Sequence, residues 1–342
     1  MRRVYSKFML ADTVKNVGRE CGFELVGIAG AGPVGDFARY DAWVASGHAG
    51  EMRYLTDHRA QIRRDVRALL PSAKSVICVG KLYNTGQPLR KRGDARIARY
   101  AGGTDYHTSM KKSLEAMAAR LRQYEAFDFK VCVDTAPLLE RSLARDAGLG
   151  WIGKNTCLIN EPKGSWFFLG EIITSLNLHT DTPPPDRCGS CTSCIDACPT
   201  QAIVPQGEGW AVDSRRCISY LTIELRGPIP EQHRAGIGTH VFGCDICQDV
   251  CPWNRRAPLT GDTAYAGKPV TLEEIAEASP QEFRARFGDT PVSRAKHSGM
   301  LRNVAVAMGN IGPEHYREWL LELAQHPDPM VQEHAAWALG NT

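Results

Sequence analysis

The chain has 342 residues, of which 43% are hydrophobic and 23% charged, and its formal net charge at pH 7 is +3. This length accommodates two or three domains, and the composition is ordinary for a globular protein. The net charge is too small to indicate a nucleic-acid partner by itself, and no run of about 18 apolar residues predicts a membrane span. The twin arginine at residues 2–3 is not followed by the apolar segment of an export signal, so we expect a cytoplasmic protein without a membrane partner.

Residues 1–180 contain a mixture of predicted helices and strands, which indicates an α/β or α+β domain. Periodic apolar residues predict helices over residues 11–21, 108–124 and 137–147, the first ended by Gly22 and the last opened by Pro137 and ended by Gly148. Short apolar runs predict strands over residues 24–29, 75–80 and 129–133. Asp134 therefore follows directly after a predicted buried strand.

The next segment, residues 148–171, is dense in glycine and aromatic residues. Glycine lets the backbone approach a large flat ligand, and aromatic side chains supply apolar walls, so this segment is a candidate cofactor pocket. It does not match a phosphate-binding loop, because Lys154 is followed by Asn155 rather than by serine or threonine. The alternative is a glycine-rich turn that packs against aromatic residues of the core.

Eight cysteines between residues 188 and 251 follow the spacing of a two-cluster bacterial ferredoxin. The first run reads C-x2-C-x2-C-x3-C-P, and in the second run Cys217 stands in for the missing first cysteine. In such proteins the fourth cysteine of a run ligates the other cluster, which predicts two 4Fe–4S clusters. The predicted ligands are Cys188, Cys191, Cys194 and Cys251 for the first cluster and Cys198, Cys217, Cys244 and Cys247 for the second.

Zinc sites and disulfides are the alternatives for these cysteines. Zinc sites also use sets of four ligands, but they leave the repeated x3-Cys-Pro pattern unexplained, and disulfides belong to oxidising compartments. The other four cysteines lie singly in mostly apolar segments and are predicted to be buried thiols: Cys21, Cys78, Cys132 and Cys157. Because paired clusters carry single electrons, the pattern predicts an electron-transfer function.

Two domain boundaries follow from the sequence. The proline-rich stretch at residues 180–185 predicts a stiff linker, and a second boundary is placed near residues 257–267. The predicted domains are therefore residues 1–180, 181–257 and 258–342. In the last, Thr271 and Glu274 have the spacing of a capping box that opens a helix. A pattern at residues 305–310 recurs at residues 336–341, which favours HEAT-like helical repeats that pack on the preceding domain.

The cysteine stretch and four further motifs, at residues 131–137, 150–155, 164–171 and 334–339, together resemble epoxyqueuosine reductases over nearly the whole chain. The resemblance implies an oxidoreductase of queuosine biosynthesis that reduces the epoxide of epoxyqueuosine at the wobble position of tRNA. It implies an α+β multidomain fold with an α/β cobalamin-binding domain, a ferredoxin-like domain with two 4Fe–4S clusters, and HEAT-like repeats at the carboxyl terminus.

The resemblance also implies that cobalamin binds in the glycine-rich segment. The expected contacts are Gly153, Lys154, Asn155, Ser165, Trp166, Leu169 and Gly170. Spacing alone predicts no cobalamin, because the nearest signature, at residues 105–110, has Met110 where the pattern needs glycine. His107 is therefore not predicted to bind cobalt, and we expect it to lie at the start of a helix.

Asp134 is the candidate catalytic acid. Deoxygenation of an epoxide to an alkene consumes two electrons and two protons, and a general acid must protonate the departing oxygen. Asp134 lies at the carboxyl end of a predicted strand, where open α/β sheets bind ligands, and burial there is predicted to raise its pKa. The alternative is a capping role before the next helix. Tyr106 and Arg141 are candidate supporting donors.

A tRNA substrate requires basic side chains that neutralise phosphates. The candidates are Arg59, Arg63 and Arg64 in the first domain and Arg294, Lys296 and Arg302 in the last. We expect a monomer that receives electrons from an unidentified donor. The alternative functions are a corrinoid iron–sulfur reductase of a small molecule, similar to reductive dehalogenases, and a non-catalytic electron-transfer protein.

Overall fold

The computed structural model describes residues 7–86 and 93–340. The twin arginine and residue 341 of the second repeat copy lie outside these ranges. Within the described residues, no helix is both long enough and apolar enough to cross a membrane.

Strands and helices alternate through the first half of the described chain, and helices dominate the rest. The strands are β1 Leu25–Gly30, β2 Ser75–Leu82, β3 Arg96–Ile97, β4 Phe129–Cys132, β5 Trp151–Ile152, β6 Leu158–Ile159, β7 Phe167–Thr174, β8 Ile203–Gln206, β9 Gly209–Val212 and β10 His240–Phe242. The helices are α1 Lys7–Glu20, α2 Phe37–Ala45, α3 Arg53–Thr56, α4 Arg59–Ile62, α5 Tyr106–Leu121, α6 Glu140–Asp146, α7 Ser193–Asp196, α8 Ile218–Ile223, α9 Glu231–Ile237, α10 Ile246–Asp249, α11 Leu272–Ala276, α12 Pro280–Phe287, α13 His297–Ile311, α14 Arg317–Leu323 and α15 Pro329–Leu339.

The amino-terminal region is built on a four-stranded sheet with the order β1-β2-β7-β4. All three pairings are antiparallel. An antiparallel sheet corresponds to the α+β form of the predicted domain, so the rule used to place Asp134, which holds for open sheets of parallel strands, does not apply here. The central strand β7 comes from the second half of the glycine-rich segment and is buried along almost its whole length. Its apolar residues belong to a strand that is covered on both faces.

Helices cover both faces of this sheet. On one face, α1 and α5 bury Leu10, Val14, Leu114 and Met117 against Ile28, Ile77 and Ile172 of the strands. On the other face, α6 buries Leu143 and Ala144 against Val76, Cys78 and Ile173. The predicted helices at residues 11–21 and 108–124 are confirmed. The prediction that Pro137 opens α6 is wrong, because Leu138 N–H closes a tight turn onto the Ala136 carbonyl and the helix begins at Glu140.

The cysteine-rich region is built from short elements. The helices α7 and α10 each lie within one cysteine run, and Cys217 is the residue directly before α8. The strand β3 of the amino-terminal region pairs in parallel with β10, which precedes Cys244. This pairing joins the sheet region to the cluster region.

The carboxyl-terminal helices share a core with the cysteine-rich region. The helix α13 is almost completely buried, and its neighbours in this core include Ile223 of α8 and Phe242 of β10. The predicted capping box of Thr271 and Glu274 is present at the start of α11. The helical region is therefore packed onto the cluster region through a continuous apolar core.

Candidate active site

A cavity of about 800 Å³ lies where the sheet region, the cysteine-rich region and the start of the carboxyl-terminal helices meet. Its volume is in the upper part of the range of roughly 300–1,000 Å³ that ligand pockets occupy. Aromatic, hydroxyl and charged side chains line it: Met52, Tyr54, Arg59, Arg63, Tyr100, Asp105, Tyr106, His107, Asp134, Thr135, Val212, Ser214, Cys217, Ser219, Tyr220, Ile223, Glu224, Pro291, Ser293 and Arg294.

Asp134 and His107 contact each other in this cavity. Asp134 follows β4, and His107 lies in the first turn of α5, which Asp105 caps. His107 Nε2 lies 3.0 Å from Asp134 Oδ2, and His107 Nδ1 lies 2.6 Å from Asp105 Oδ1. Because a carboxylate oxygen faces each ring nitrogen, the protonated imidazole donates to both.

The charge of this pair is set by mutual attraction. Burial opposes ionisation of Asp134, but the hydrogen bond from His107 and the positive charges of His107 and Arg294 outweigh it, so the pKa of Asp134 is lowered. The hydrogen bond to Asp134 is the main cause that raises the pKa of His107, and Asp105 adds to it against the effect of burial. The imidazole therefore holds the proton of the pair. The prediction that burial raises the pKa of Asp134 is wrong, because the sequence argument did not include His107.

His107 is thus a candidate functional residue that sequence reasoning missed. Its only signal is its position two residues after Asp105, a spacing that lets one carboxylate cap the helix and contact the imidazole. Tyr106, a candidate supporting donor, lines the cavity, and its hydroxyl lies near the Asp134 carboxylate. Arg141 does not line it. Its guanidinium donates instead to the Thr156 carbonyl, at 2.5 Å.

One wall of the cavity contains Cys217, and the structure brings three further cysteines near it. Burial is the main cause that raises the pKa of Cys244 to about 12, and the neighbouring thiols of Cys217 and Cys198 add to it. The neighbouring Cys157 thiol is the main cause that raises the pKa of Cys247, and burial, Cys217 and Cys244 add to it. These four cysteines are the predicted ligands of the second cluster.

The predicted ligands of the first cluster line a separate cavity of about 220 Å³: Cys188, Cys191, Cys194 and Cys251. Burial raises the pKa of Cys194 to about 11, with contributions from Cys188, Cys251 and Cys191. Cys157, predicted as a buried thiol, lies beside both cysteine groups, and its thiol is next to that of Cys247. Its neighbours Cys217 and Cys251 belong to different groups.

The first residues predicted to bind cobalamin lie beside these cysteines. Lys154 Nζ donates to the carbonyls of Gly189 and Cys191, at 2.8 and 2.9 Å, and Asn155 donates to the Cys247 carbonyl. A Cβ atom at Gly153 would lie 3.5 Å from Cys188 Sγ. These residues hold the cysteine-bearing loops, and none of them lines the 800 Å³ cavity.

The remaining predicted cobalamin contacts belong to the core or to the junction with the cysteine-rich region. The Ser165 hydroxyl donates to Gln248, and Trp166 is buried beneath Arg99, whose Cζ lies 4.0 Å from the ring centroid. Leu169 packs in the sheet core, and a Cβ atom at Gly170 would lie 2.9 Å from Leu114 of α5. The prediction that these side chains line the cofactor pocket is therefore not supported by their positions.

The six predicted tRNA contacts differ in exposure. Arg64, Arg294 and Lys296 are exposed, and Arg59 is half-buried and paired with Asp57. Arg63 is 6% exposed, and its guanidinium donates to the Arg59 carbonyl.

Arg302 is 1% exposed and cannot reach a phosphate on a bound tRNA. It donates to the carbonyls of Leu221, Leu225 and Gly227, at 2.7, 2.9 and 2.6 Å. The predicted tRNA contact at Arg302 is therefore wrong, because its guanidinium is buried and hydrogen-bonded to backbone carbonyls.

Comparison with known proteins identifies the family. Residues 63–135 match the model described as epoxyqueuosine reductase QueG, DUF1730. A curated epoxyqueuosine reductase of Xanthomonas campestris is 42% identical over 341 residues, covering 96% of this chain and 95% of the relative. The chain belongs to the epoxyqueuosine reductase family. This membership confirms the resemblance inferred from the motifs and the expectation of an oxidoreductase.

Solved structures of epoxyqueuosine reductases have the same overall fold. One, with an epoxyqueuosine-modified stem loop of a tyrosine tRNA, superposes with a TM-score of 0.91 at 28% identity, covering 98% of this chain and 91% of that chain. A second structure is that of a Bacillus subtilis epoxyqueuosine reductase with its aspartate-bearing catalytic loop swung out of the active site. It has a TM-score of 0.88 at 27% identity, and the match covers 98% of this chain and 91% of that chain.

Two further family models match parts of the carboxyl-terminal half of the chain. Residues 187–254 match a 4Fe-4S double cluster binding domain, so the cysteine stretch is a domain that binds two clusters. Residues 320–342 match an armadillo/beta-catenin-like repeat.

Proposed function

We propose that this chain reduces the epoxide of epoxyqueuosine at the wobble position of tRNA, with a cobalamin in the 800 Å³ cavity and two 4Fe–4S clusters beside it. The observation that carries the proposal is that Cys217, a proposed cluster ligand, lines the same cavity as the His107–Asp134 pair. An electron route and a proton donor therefore meet at one binding site. Epoxide deoxygenation needs both, since it consumes two electrons and two protons and releases water.

The residues present fit the clusters. The thiols of each proposed group are neighbours, and the first group encloses a cavity. Buried thiols with strongly raised pKa values are unfavourable as free thiolates, and coordination to iron is the arrangement that compensates for this. We therefore assign Cys188, Cys191, Cys194 and Cys251 to one cluster and Cys198, Cys217, Cys244 and Cys247 to the other.

The cavity also fits a corrin macrocycle. Tyr54, Tyr100, Tyr220 and Ile223 offer apolar surface to a flat ring, whereas the hydroxyls of Ser214, Ser219 and Ser293 suit the amide groups at its edge. A bound cobalamin supplies a metal centre that both accepts single electrons and attacks carbon, which the clusters cannot do. We accordingly place cobalamin binding in this cavity rather than in the glycine-rich segment.

The His107–Asp134 pair supplies a proton to the departing oxygen. Asp134 is the more exposed partner, with 50% of its side chain accessible against 30% for His107. It is therefore the group that reaches the substrate oxygen, and it relays to that oxygen the proton held by His107 Nε2, 3.0 Å away. Tyr106 keeps the carboxylate in place.

The tRNA approaches the cavity from the side that carries Arg294. The Arg294 guanidinium lines the cavity and forms an ion pair with Glu224, and the exposed Lys296 follows in the chain. Arg59 and Arg64 supply positive charge from the amino-terminal region. A wobble nucleotide in a single-stranded loop can leave its stack to enter a pocket, so the cavity does not have to admit a helix.

The proposal extends to the carboxyl-terminal helices, the oligomeric state and the source of electrons. We infer that helices α13–α15 form a HEAT-like unit, because the family match at residues 320–342 describes a related repeat. We also propose a cytoplasmic monomer that takes electrons from a separate donor protein.

Anaerobic turnover of an epoxyqueuosine-containing tRNA stem loop tests the proposal. The protein is loaded with iron, sulfide and cobalamin, a chemical reductant is added, and the digested RNA is analysed for queuosine by mass spectrometry. Queuosine should form with the complete protein and not with protein that lacks cobalamin. Absence of queuosine from protein that contains both cofactors, at iron and cobalt contents verified by metal analysis, would overturn the proposal.

A further inference from the structure

Two acidic side chains lie behind the Asp134 loop, outside the cavity. Glu171 is in the middle of β7, opposite Cys132 of β4 and Cys78 of β2, and its side chain is fully buried. Glu140 is the first residue of α6 and contacts Glu171. Neither carboxyl oxygen of Glu171 has a conventional hydrogen-bond donor among the described residues.

A buried carboxyl group without a donor is costly unless it is protonated. Burial raises the pKa of Glu171 well above its usual range, and the neighbouring Glu140 charge raises it further. Burial and the charge of Asp134 raise the pKa of Glu140 to about 7. Two carboxyl groups in contact cannot both ionise in such a place. Glu171 therefore stays protonated, and its O–H group donates a hydrogen bond to Glu140.

Glu140 also determines the conformation of the Asp134 loop. The backbone N–H of Asp134 donates to Glu140 Oε1 at 2.6 Å. Asp134 has a φ of 53°, in the left-handed region, which non-glycine residues adopt only when surrounding contacts hold them there. The contacts that hold it are this hydrogen bond at the backbone and His107 at the side chain.

We propose that Glu140 and Glu171 are positioning residues that share one proton and thereby hold the Asp134 loop in place, and that uptake of a second proton loosens the loop. Ionised Glu140 is a strong acceptor for the Asp134 N–H, whereas protonated Glu140 is a weaker one. The ionisable groups that face the pair are Cys78 on β2, Cys132 on β4, Tyr106 on α5, Arg141 on α6, and Asp134 itself. The benefit for catalysis rests on the proposed function.

Hydrogen exchange of the Asp134 amide in the full-length protein tests directly whether protonation of Glu140 weakens the hydrogen bond that holds the Asp134 loop. In wild-type protein, the protection factor of this amide should be about tenfold higher at pH 8 than at pH 6, since a bond to a charged acceptor is replaced by one to a neutral acceptor. In Glu140→Gln, protection should be low and independent of pH. In Glu171→Gln, the side-chain amide replaces the protonated carboxyl as a neutral donor to Glu140, so protection should keep its pH dependence with a midpoint close to that of wild type.

Glu115→Gln, an exposed change on α5, is the matched control and should behave as wild type. Infrared spectra at pH 8 supply a second readout, because Glu171 should give a protonated-carboxyl band that Glu171→Gln lacks. A protection factor that does not change between pH 6 and pH 8 in wild type, or that survives Glu140→Gln, overturns the proposal. So does the absence of the carboxyl band. None of these readouts depends on turnover, so failure of epoxide reduction with the expected exchange pattern would refute the proposed function alone.

Discussion

Replacement of Asp134 by asparagine removes the ionisable carboxyl group but keeps the size of the side chain. The amide occupies the same space, but it carries no charge and is a poor proton donor. Loss of a general acid typically lowers turnover by about 10²–10⁴-fold, and we expect at least about 100-fold here. Cobalamin content and tRNA affinity should stay within about twofold of wild type, because the variant keeps the volume and polarity of the site.

The structure also predicts how the pH dependence changes. In wild type, Asp134 is the main cause of the raised pKa of His107, and Asp105 adds to it. Asp134→Asn removes the main cause and keeps Asp105, so the pKa of His107 falls and the alkaline limb of the kcat/KM profile moves to lower pH.

The same pair predicts a small change in stability. Because the folded-state pKa of His107 is raised, its stabilising effect is complete below the unfolded value of about 6.5 and is lost as pH rises through the folded value. Both side chains are partly exposed, so the variant should lose no more than about 1 kcal/mol at pH 6.

The measurement is single-turnover reduction of the modified stem loop between pH 6 and pH 9, with product quantified after digestion. The matched control is Asp146→Asn on α6, whose carboxylate pairs with Arg145 at 2.8 Å and does not line the cavity. The control should keep the wild-type rate and profile. Turnover of Asp134→Asn within about tenfold of wild type, or an unshifted alkaline limb, would refute the assignment of Asp134 as the proton donor.

Three further predictions follow from the site. Wild-type protein should carry about eight irons. The variant Cys217→Ser, made in a Cys157→Ala background so that the neighbouring thiol cannot act as a substitute ligand, should keep about four irons by iron analysis. Retention of all eight would contradict the ligand assignment. Arg294→Gln should lower the log–log salt slope of tRNA binding by about 0.7 per lost phosphate contact, and an unchanged slope would remove Arg294 from the interface. Arg302→Gln should keep the slope but lower the free energy of unfolding by at least about 2 kcal/mol in urea titrations, because buried carbonyls lose their charged donor; a loss under about 1 kcal/mol would contradict its structural role.

The cysteine region could be predicted because cluster binding imposes its own local spacing. The x2 and x3 intervals place thiols on short turns such as α7 and α10, whatever the rest of the fold does. Strands with continuous apolar runs, such as β2, were predictable for a similar reason, since burial on both faces is visible in the sequence. The family resemblance then supplied the activity, which spacing alone did not.

The active-site cavity could not be predicted, because its lining comes from segments far apart in the chain. Tyr54, His107, Cys217 and Arg294 meet only through tertiary packing. The glycine-rich segment misled for a physical reason: glycines such as Gly170 permit the close approach of a helix as well as that of a cofactor. Asp134 was selected correctly as a cavity residue, but by a rule for parallel sheets that this antiparallel sheet does not obey.

The carboxyl-terminal helices act on the site through the segment that carries Cys217. Arg302 of α13 holds the Leu221 and Leu225 carbonyls at the end of α8, the helix that begins directly after Cys217. Burial lowers the pKa of Arg302 to about 10, so its charge is retained at neutral pH only at a cost that these carbonyls offset.

Asn303 extends this support to the second cysteine run. It donates to the carbonyls of Thr222 and Val241, at 2.8 Å each, and Val241 lies on β10 just before Cys244. Deletion of residues 291–342 would therefore release both segments and remove the second cluster together with the proposed tRNA contacts at Arg294 and Lys296. A single charge change at Lys296 leaves this support intact, so it can separate a role in RNA binding from the structural role of the same helices.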